Sequence, residues 1–218
     1  MFYLHITMKI LEKTQLYKAV KGNKTFLTLW KVIFNHNNKD REYFMVSRGE
    51  TLVPHENKKP DAVVIIATMD AFDADGKIIE SETRLVLTDE FRVPIGCREI
   101  GFPAGLIDDK DYTDGASIED AAKNAAVREF KEETGLDLEV TSLSPVNLYS
   151  SAGMTNESIT YVFGKASSVP NISNLEDSED IVTILATRAY VQNMLYSKTL
   201  AFGKTAWPFL WAFSKNAL

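Results

Sequence analysis

The chain predicts an α+β fold, a sandwich with one central helix, preceded by a small antiparallel β-sheet at its N-terminus. Three observations carry that expectation. Short bursts of β-branched and aromatic residues alternate with turn clusters from Ile10 to Arg48. A helical period replaces the alternation at Ser117, and two amphipathic stretches close the chain after a last apolar strand.

The bursts "QLYKAV", "TFLTLWKVIF" and "EYFMVS", with "KGNK" and "NHNNKD" between them, predict three antiparallel strands. The polar stretch "PHENKKPD" separates them from "AVVIIATMDAF", a run apolar enough for a buried strand, so the chain divides into residues 1–58 and 59–218. "DADGK" marks a turn before the strand "TRLVLTDEFR". Ser117 and Asp120 make a capping-box-like helix start, and the acids Glu119 and Asp120 suit a helix N-terminus. "AAKNAAVREFKEET" continues at helical spacing with high propensity, and Gly135 supplies the stop. Strands follow at "LEVTSLSPVNLY", "SITYVFG" and "IVTILA", with the acidic loop "NISNLEDSED" before the last. In the closing stretch Gly203 and Pro208 interrupt the second helix, and Trp207 and Trp211, four apart, read as packed core.

Composition excludes several classes. At 218 residues, 45% of them hydrophobic, the chain can bury a core without disulfides or metals to hold it. A net charge of -6 gives no global attraction for nucleic acid or an anionic membrane, so neither is an expected partner. An anionic substrate would then need local arginines or a bound cation. The single cysteine, Cys97, excludes an internal disulfide and has no histidine beside it, which suits a small strand or loop residue. The start "MFYLHITMKI" lacks the pattern of a signal peptide, and no run of about 18 apolar residues follows. The expected compartment is the cytoplasm.

"VREFKEETGL" poses a sharper question. Glu129, Glu132 and Glu133 share one helical face, where like charges cost about 0.2–0.5 kcal/mol per pair. Lys131 alone cannot neutralise them, and Arg128 reaches Glu132 only in the less favourable order. A hard divalent cation, Mg²⁺ or Mn²⁺, compensates such a cluster best.

"REFKEETGL" resembles the second half of the Nudix box, G-x5-E-x7-R-E-U-x-E-E-x-G-U with U apolar. Arg128, Glu129, Phe130, Glu132, Glu133, Gly135 and Leu136 match every fixed position of that half. Upstream, Gly105 in "FPAGLIDDKD" begins the first half, with Asp111 where glutamate is usual. Sixteen residues, Tyr112 to Val127, then separate Asp111 from Arg128 instead of seven; counting back from Arg128, the ordinary spacing lands on Asp120. Around the box, "EFRVPIGCREIGFPAGLID", "YSSAGMTNESITYVFG" and "SEDIVTILAT" are similar to segments of ADP-ribose and nucleoside-diphosphate-sugar pyrophosphatases. Gly101 replaces their second glutamate and Ala152 their proline.

The resemblance implies a Nudix fold, an α/β/α sandwich with a mixed sheet and a central catalytic helix, over residues 59–218. It implies that Glu129, Glu133 and the Ala104 carbonyl hold Mg²⁺ (Mn²⁺ serving as well), with Glu132 sharing a second ion and Arg128 orienting the glutamates. The general base would be Glu179, with Glu176 and Asp177 near enough to substitute. Arg92 and Arg48 would meet substrate, Tyr43 or Trp30 would stack the base, and Gly153 would admit the terminal ribose. His5, His36 and His55 lie outside every motif and read as surface or turn residues. The implied reaction is cleavage of ADP-ribose or a related nucleotide sugar to a nucleoside monophosphate and a sugar phosphate. The implied partner is a second copy, docked through residues 1–58. A pyrophosphohydrolase for GDP-mannose, an ADP-ribose-sensing domain and a structural protein without turnover are the rivals.

Overall fold

The computed structural model describes residues 9–22, 24–71, 74–75, 77, 79, 82–113, 115–168 and 180–218. In chain order the strands are β1 (Lys9–Lys21), β2 (Lys24–His36), β3 (Lys39–Arg48), β4 (Ala62–Met69), β5 (Arg84–Arg92), β6 (Cys97–Gly101) and β7 (Ala104–Leu106). The long helix α1 (Ile118–Thr134) follows, then β8 (Asp137–Leu143), β9 (Leu148–Tyr149), β10 (Ser158–Ser167) and β11 (Ile181–Ala186). Helix α2 (Arg188–Met194), β12 (Ala201–Phe202) and helix α3 (Trp207–Ser214) complete the chain. Two compact units result, one of residues up to Asp61 with Asn147–Ile159, the other of Ala62–Val146 with Thr160–Leu218.

The first unit is the three-stranded antiparallel sheet expected from the sequence, in the order β1-β2-β3. Asn37 and Asn38 join β2 to β3 with φ of 55° and 59°, the left-handed pair that a two-residue hairpin turn needs and that asparagine tolerates. Trp30 is buried in this sheet and its indole N–H donates to Ser47 Oγ at 2.8 Å. The returning segment adds to it: the Val46 N–H donates to the Met154 carbonyl at 2.9 Å, and β9 pairs with the first two residues of β10.

The second unit is a mixed sheet between helices. Its strands run β12-β6-β5-β4-β10-β8, with β11 also paired to β5 and β7 to β4. Period-2 alternation sorts the side chains. Val63, Ile65, Ala67 and Val86 face α1, where Ala122, Ala125, Ala126 and Phe130 complete a core. Ile66, Leu85 and Leu87 face the other way, onto Val191 and Met194 of α2 and Leu210 and Phe213 of α3. The four buried alanines of α1 let its backbone approach the sheet closely, and Phe130 fills the space at its lower end. No helix among the described residues is long and apolar enough to cross a membrane.

Two expectations need correction. Trp207 and Trp211 are not core: they are 46% and 49% exposed. Ala206, Leu210 and Phe213, spaced four and three apart, form the stripe that faces the sheet, and Phe209 packs edge-on against Tyr161, Phe163 and Phe102. The tryptophans fall beside that stripe. Nor does Pro208 interrupt a helix; it sits in the first turn of α3, where its missing N–H costs nothing, and Gly203 lies in the preceding turn. The short strands β6, β7 and β12 carried no separate signal in the sequence. Part of the "DADGK" turn, and His5, lie outside the described residues.

Phe130→Ala should cost about 3–5 kcal/mol by leaving a cavity between α1 and the sheet. Urea denaturation of the two proteins checks this, with Trp211→Ala as a surface control expected to change stability by about 0.5 kcal/mol or less.

Candidate active site

The site grows from the ends of α1. Ser117 caps the helix, its Oγ accepting from the Asp120 N–H at 3.1 Å while the Asp120 carboxylate accepts back from Ser117. Gly135 closes it in the left-handed conformation with φ of 71°, its N–H donating to the Lys131 carbonyl. With both ends fixed and Phe130 buried, the rotation of the last turns is fixed too. Arg128, Glu129, Glu132 and Glu133 follow from it.

Opposite lies β7, held to β4 by the pairs Val64↔Ala104 and Val63↔Gly105. The Ala104 N–H donates to Glu133 Oε2 at 3.1 Å, and Glu133 is only 6% exposed. Glu129 lies directly against Gly105: a Cβ at that glycine would sit 1.9 Å from Glu129 Cδ. Backbone and carboxylate occupy the space a side chain would take.

Arg128 ties these parts together. Nε and Nη2 donate to the two oxygens of Asp111 at 3.1 and 2.8 Å, the bidentate geometry that suits a guanidinium and a carboxylate. Nη2 also donates to the Leu106 carbonyl at 3.1 Å, and Nη1 donates to Glu129 at 2.7 Å and Glu132 at 3.1 Å. Asp111 is buried at the end of a short 3₁₀ turn, where its carboxylate also accepts from the Asp108 N–H. Burial pushes the Asp111 carboxyl up, but the Arg128 hydrogen bond, the Asp108 N–H and the nearby cations outweigh it and hold the group below its usual range. The same Asp111 hydrogen bond raises Arg128 against its own burial, with Glu129 adding to it.

This geometry decides between the two aspartates. Asp111 holds the arginine; Asp120 is spent on the exposed cap and on Lys123. Helix α1 begins at Ile118, and the Asp111–Arg128 pair is made in spite of the longer spacing between the two residues.

The remaining candidates fall as follows. Arg92, in the second unit, is half-exposed and paired with Glu90 at 2.8 Å and Glu99 at 3.4 Å. Within the first unit, the Tyr43 hydroxyl donates to the Gly153 carbonyl at 2.6 Å, and Arg48 Nε donates to Glu157 Oε1 at 2.6 Å. Three of these four are expected from the sequence; Glu157, the counter-ion of Arg48, is the addition, and it stands in "MTNES". Trp30 is buried with its N–H satisfied, so of the two stacking candidates only Tyr43 presents a ring to solvent. Nothing lies within 4 Å of a Cβ built on Gly153. His55 is an exposed residue whose Nδ1 meets the Tyr149 hydroxyl at 2.7 Å, and Cys97 is exposed at the start of β6. Glu176, Asp177 and Glu179 lie outside the described residues.

Among the described residues, no three His, Cys, Asp or Glu side chains converge as a ready-made metal cage. Arg128 draws Glu129 and Glu132 towards itself. The donor chemistry nonetheless fits a hard cation, since three carboxylates stand on one helical face beside the β7 backbone.

A NUDIX domain family model matches residues 71–193, more than half of the chain, and the chain belongs to that family. It is 30% identical over 154 residues to a Caenorhabditis elegans protein named as nudix hydrolase 2, covering 64% of this chain and 61% of that one. It is 32% identical over 142 residues to an uncharacterized Nudix hydrolase of Schizosaccharomyces pombe, covering 63% and 60%. This chain thus spans about three-fifths of the length of both relatives. The crystal structure of an ADP compounds hydrolase superposes with a TM-score of 0.60 over 97% of each chain. At 19% identity that likeness shows the fold alone, and the fold is the Nudix sandwich expected from the sequence, with the small antiparallel sheet before it.

Asp111→Asn should remove most of the stability the buried pair contributes, about 3 kcal/mol at neutral pH. Because the folded-state pKa of Asp111 is lowered, that contribution is present above its unfolded value near pH 4 and fades as pH falls through the lowered folded value. Denaturant titrations of wild type and Asp111→Asn at pH 7 and at about pH 3 check this: the gap between them should narrow only in acid.

Proposed function

We propose that this chain is a divalent-metal-dependent pyrophosphohydrolase that cleaves ADP-ribose, or a related nucleoside-diphosphate sugar, to a nucleoside monophosphate and a sugar phosphate. The observation that supports it best is the Arg128-centred cluster, which sets Glu129 and Glu133 against the β7 backbone. In this reading Glu129 and Glu133, with the Ala104 carbonyl, hold Mg²⁺ or Mn²⁺, and Glu132 shares a second ion. When bound, the metal neutralises pyrophosphate oxygens and makes water a better nucleophile.

The chain's own residues do the positioning. Asp111 fixes Arg128, Arg128 aims Glu129 and Glu132, and the Ala104 N–H keeps Glu133 turned inward. Arg92 offers its planar fork to a phosphate in exchange for its present partners Glu90 and Glu99. Arg48, Tyr43 and Gly153 take the nucleoside and sugar parts. Glu179 removes the proton of the attacking water, Glu176 and Asp177 being its alternatives; this assignment rests on the resemblance of "SEDI" alone. The lengthened segment 112–127, which would favour a protein without turnover, leaves the arginine fork engaged, so turnover is the better reading.

In the same reading residues 1–58 form a dimerisation and base-pocket region ahead of the catalytic domain 59–218, and two copies associate through it. The exposed Ile10, Tyr17, Val20, Phe26 and Phe44 of the small sheet support that association. A lone cysteine suits the cytoplasm.

Incubation with ADP-ribose should release AMP in the presence of Mg²⁺ and none when the metal is chelated. Glu133→Gln should lower kcat by about tenfold or more with the fold intact, because the metal loses a charged ligand; unchanged turnover at saturating Mg²⁺ would reject the metal assignment. Glu179→Gln should lower kcat with little change in metal affinity. Persistence of activity there, with collapse in Glu176→Gln, would move the base to Glu176.

A further inference from the structure

Charge is spread unevenly along this chain. All thirty acidic residues precede Ile181, Asp180 being the last of them. The stretch that supplies β11, α2, β12 and α3 carries Arg188, Lys198, Lys204 and Lys215 with no acid to offset them. The net charge of -6 conceals this cationic stretch. Lys198, Lys204 and Lys215 are all exposed.

The same stretch presents aromatic rings to water. Tyr196 is 77% exposed, beside the half-exposed Trp207 and Trp211. These three, with Leu195, Gln192 and Lys215, line a single groove of about 150 Å³ between α2 and α3. That volume is well below the roughly 300–1,000 Å³ of sites that enclose a small molecule, so the occupant is a surface rather than a captured metabolite. Tryptophan and tyrosine favour the membrane–water boundary, where one part of the ring is apolar and the other polar, and neighbouring lysines are drawn to anionic headgroups. An acidic peptide needs a cation or two at one groove. The stretch from Ile181 onward supplies four cations and no acid of its own, the acid set beside it at Gly203 being Glu99 of β6. Such a balance suits an extended plane of negative charge.

We propose that the α2–α3 face is a peripheral docking surface for an anionic phospholipid bilayer. Trp207, Trp211 and Tyr196 seat among the headgroups, while Lys198, Lys204 and Lys215 face their phosphates. No spanning helix is needed for such attachment.

The full chain is sedimented with vesicles of phosphatidylcholine alone, or with about 30% phosphatidylserine, at about 20 mM and about 0.5 M salt. Binding is expected only to the anionic vesicles, falling about fivefold or more at high salt. Tryptophan emission should shift to the blue on binding, because two of the three tryptophans lie on this face and Trp30 is buried. A Lys198→Glu, Lys204→Glu, Lys215→Glu variant and a Trp207→Ala, Trp211→Ala variant should each weaken binding about fivefold or more, with circular dichroism and melting temperature unchanged. Absence of wild-type binding to anionic vesicles at low salt overturns the proposal, as does full binding by both variants. An emission shift with polyglutamate but not with vesicles assigns the face to an acidic peptide instead. Self-association lost in the tryptophan variant, without vesicle binding, assigns it to a second copy. Either of those results also overturns it.

Discussion

The guanidinium of Arg128 is the constraint on which the rest of the candidate site depends. It joins three separate pieces of chain: the 3₁₀ turn that ends at Asp111, the β7 carbonyl of Leu106, and two glutamates of its own helix. Without a planar, permanently charged fork these acids would repel one another at close range in a partly buried place. A lysine could not stand in, because a point charge on a flexible stem cannot hold three carboxylates and a carbonyl in fixed directions. The acid cluster is thus made tolerable from within the protein, with Glu129 and Glu132 both turned towards the one guanidinium.

Much of this was legible in the sequence where the determinants are local. Ser117 and Gly135 announce both ends of α1, because capping and left-handed termination are chemical events within a few residues. The spacing of Glu129, Glu132 and Glu133 likewise follows from helical geometry alone. The choice between Asp111 and Asp120 was not legible. Both are acids at defensible spacings, and the difference lies in a turn that buries one and in a cap that exposes the other. Strands β6, β7 and β12 were also invisible, being two to five residues long and formed only because neighbouring strands supply their partners. The tryptophans of α3 misled for a related reason. "WPFLWAF" has no polar residue, so periodicity alone gives no way to tell the inner stripe from its flank.

The first unit shows the complementary case, in which tertiary contact unites residues that the sequence merely named. Tyr43 and Gly153 are far apart in the chain and meet through one hydrogen bond, and Arg48 finds Glu157 in the same returning segment. Glu157 is further engaged by the Ser150 hydroxyl at 3.0 Å. Arg48 is therefore charge-balanced within its own unit. Its guanidinium also lies over the Phe26 ring, 5.6 Å from the centroid, so charge and ring contact alike are met within that unit.

Gly105 has an implication for engineering. It lies in a strand and does not have a positive φ, so backbone propensity alone would mark it as a weak point to be improved by a residue with a side chain. The requirement here is volume, not conformation: even a methyl group would overlap Glu129. A stabilisation programme that replaces glycines by propensity would therefore exchange a small entropic gain for eviction of a carboxylate. Such a programme should leave this position untouched.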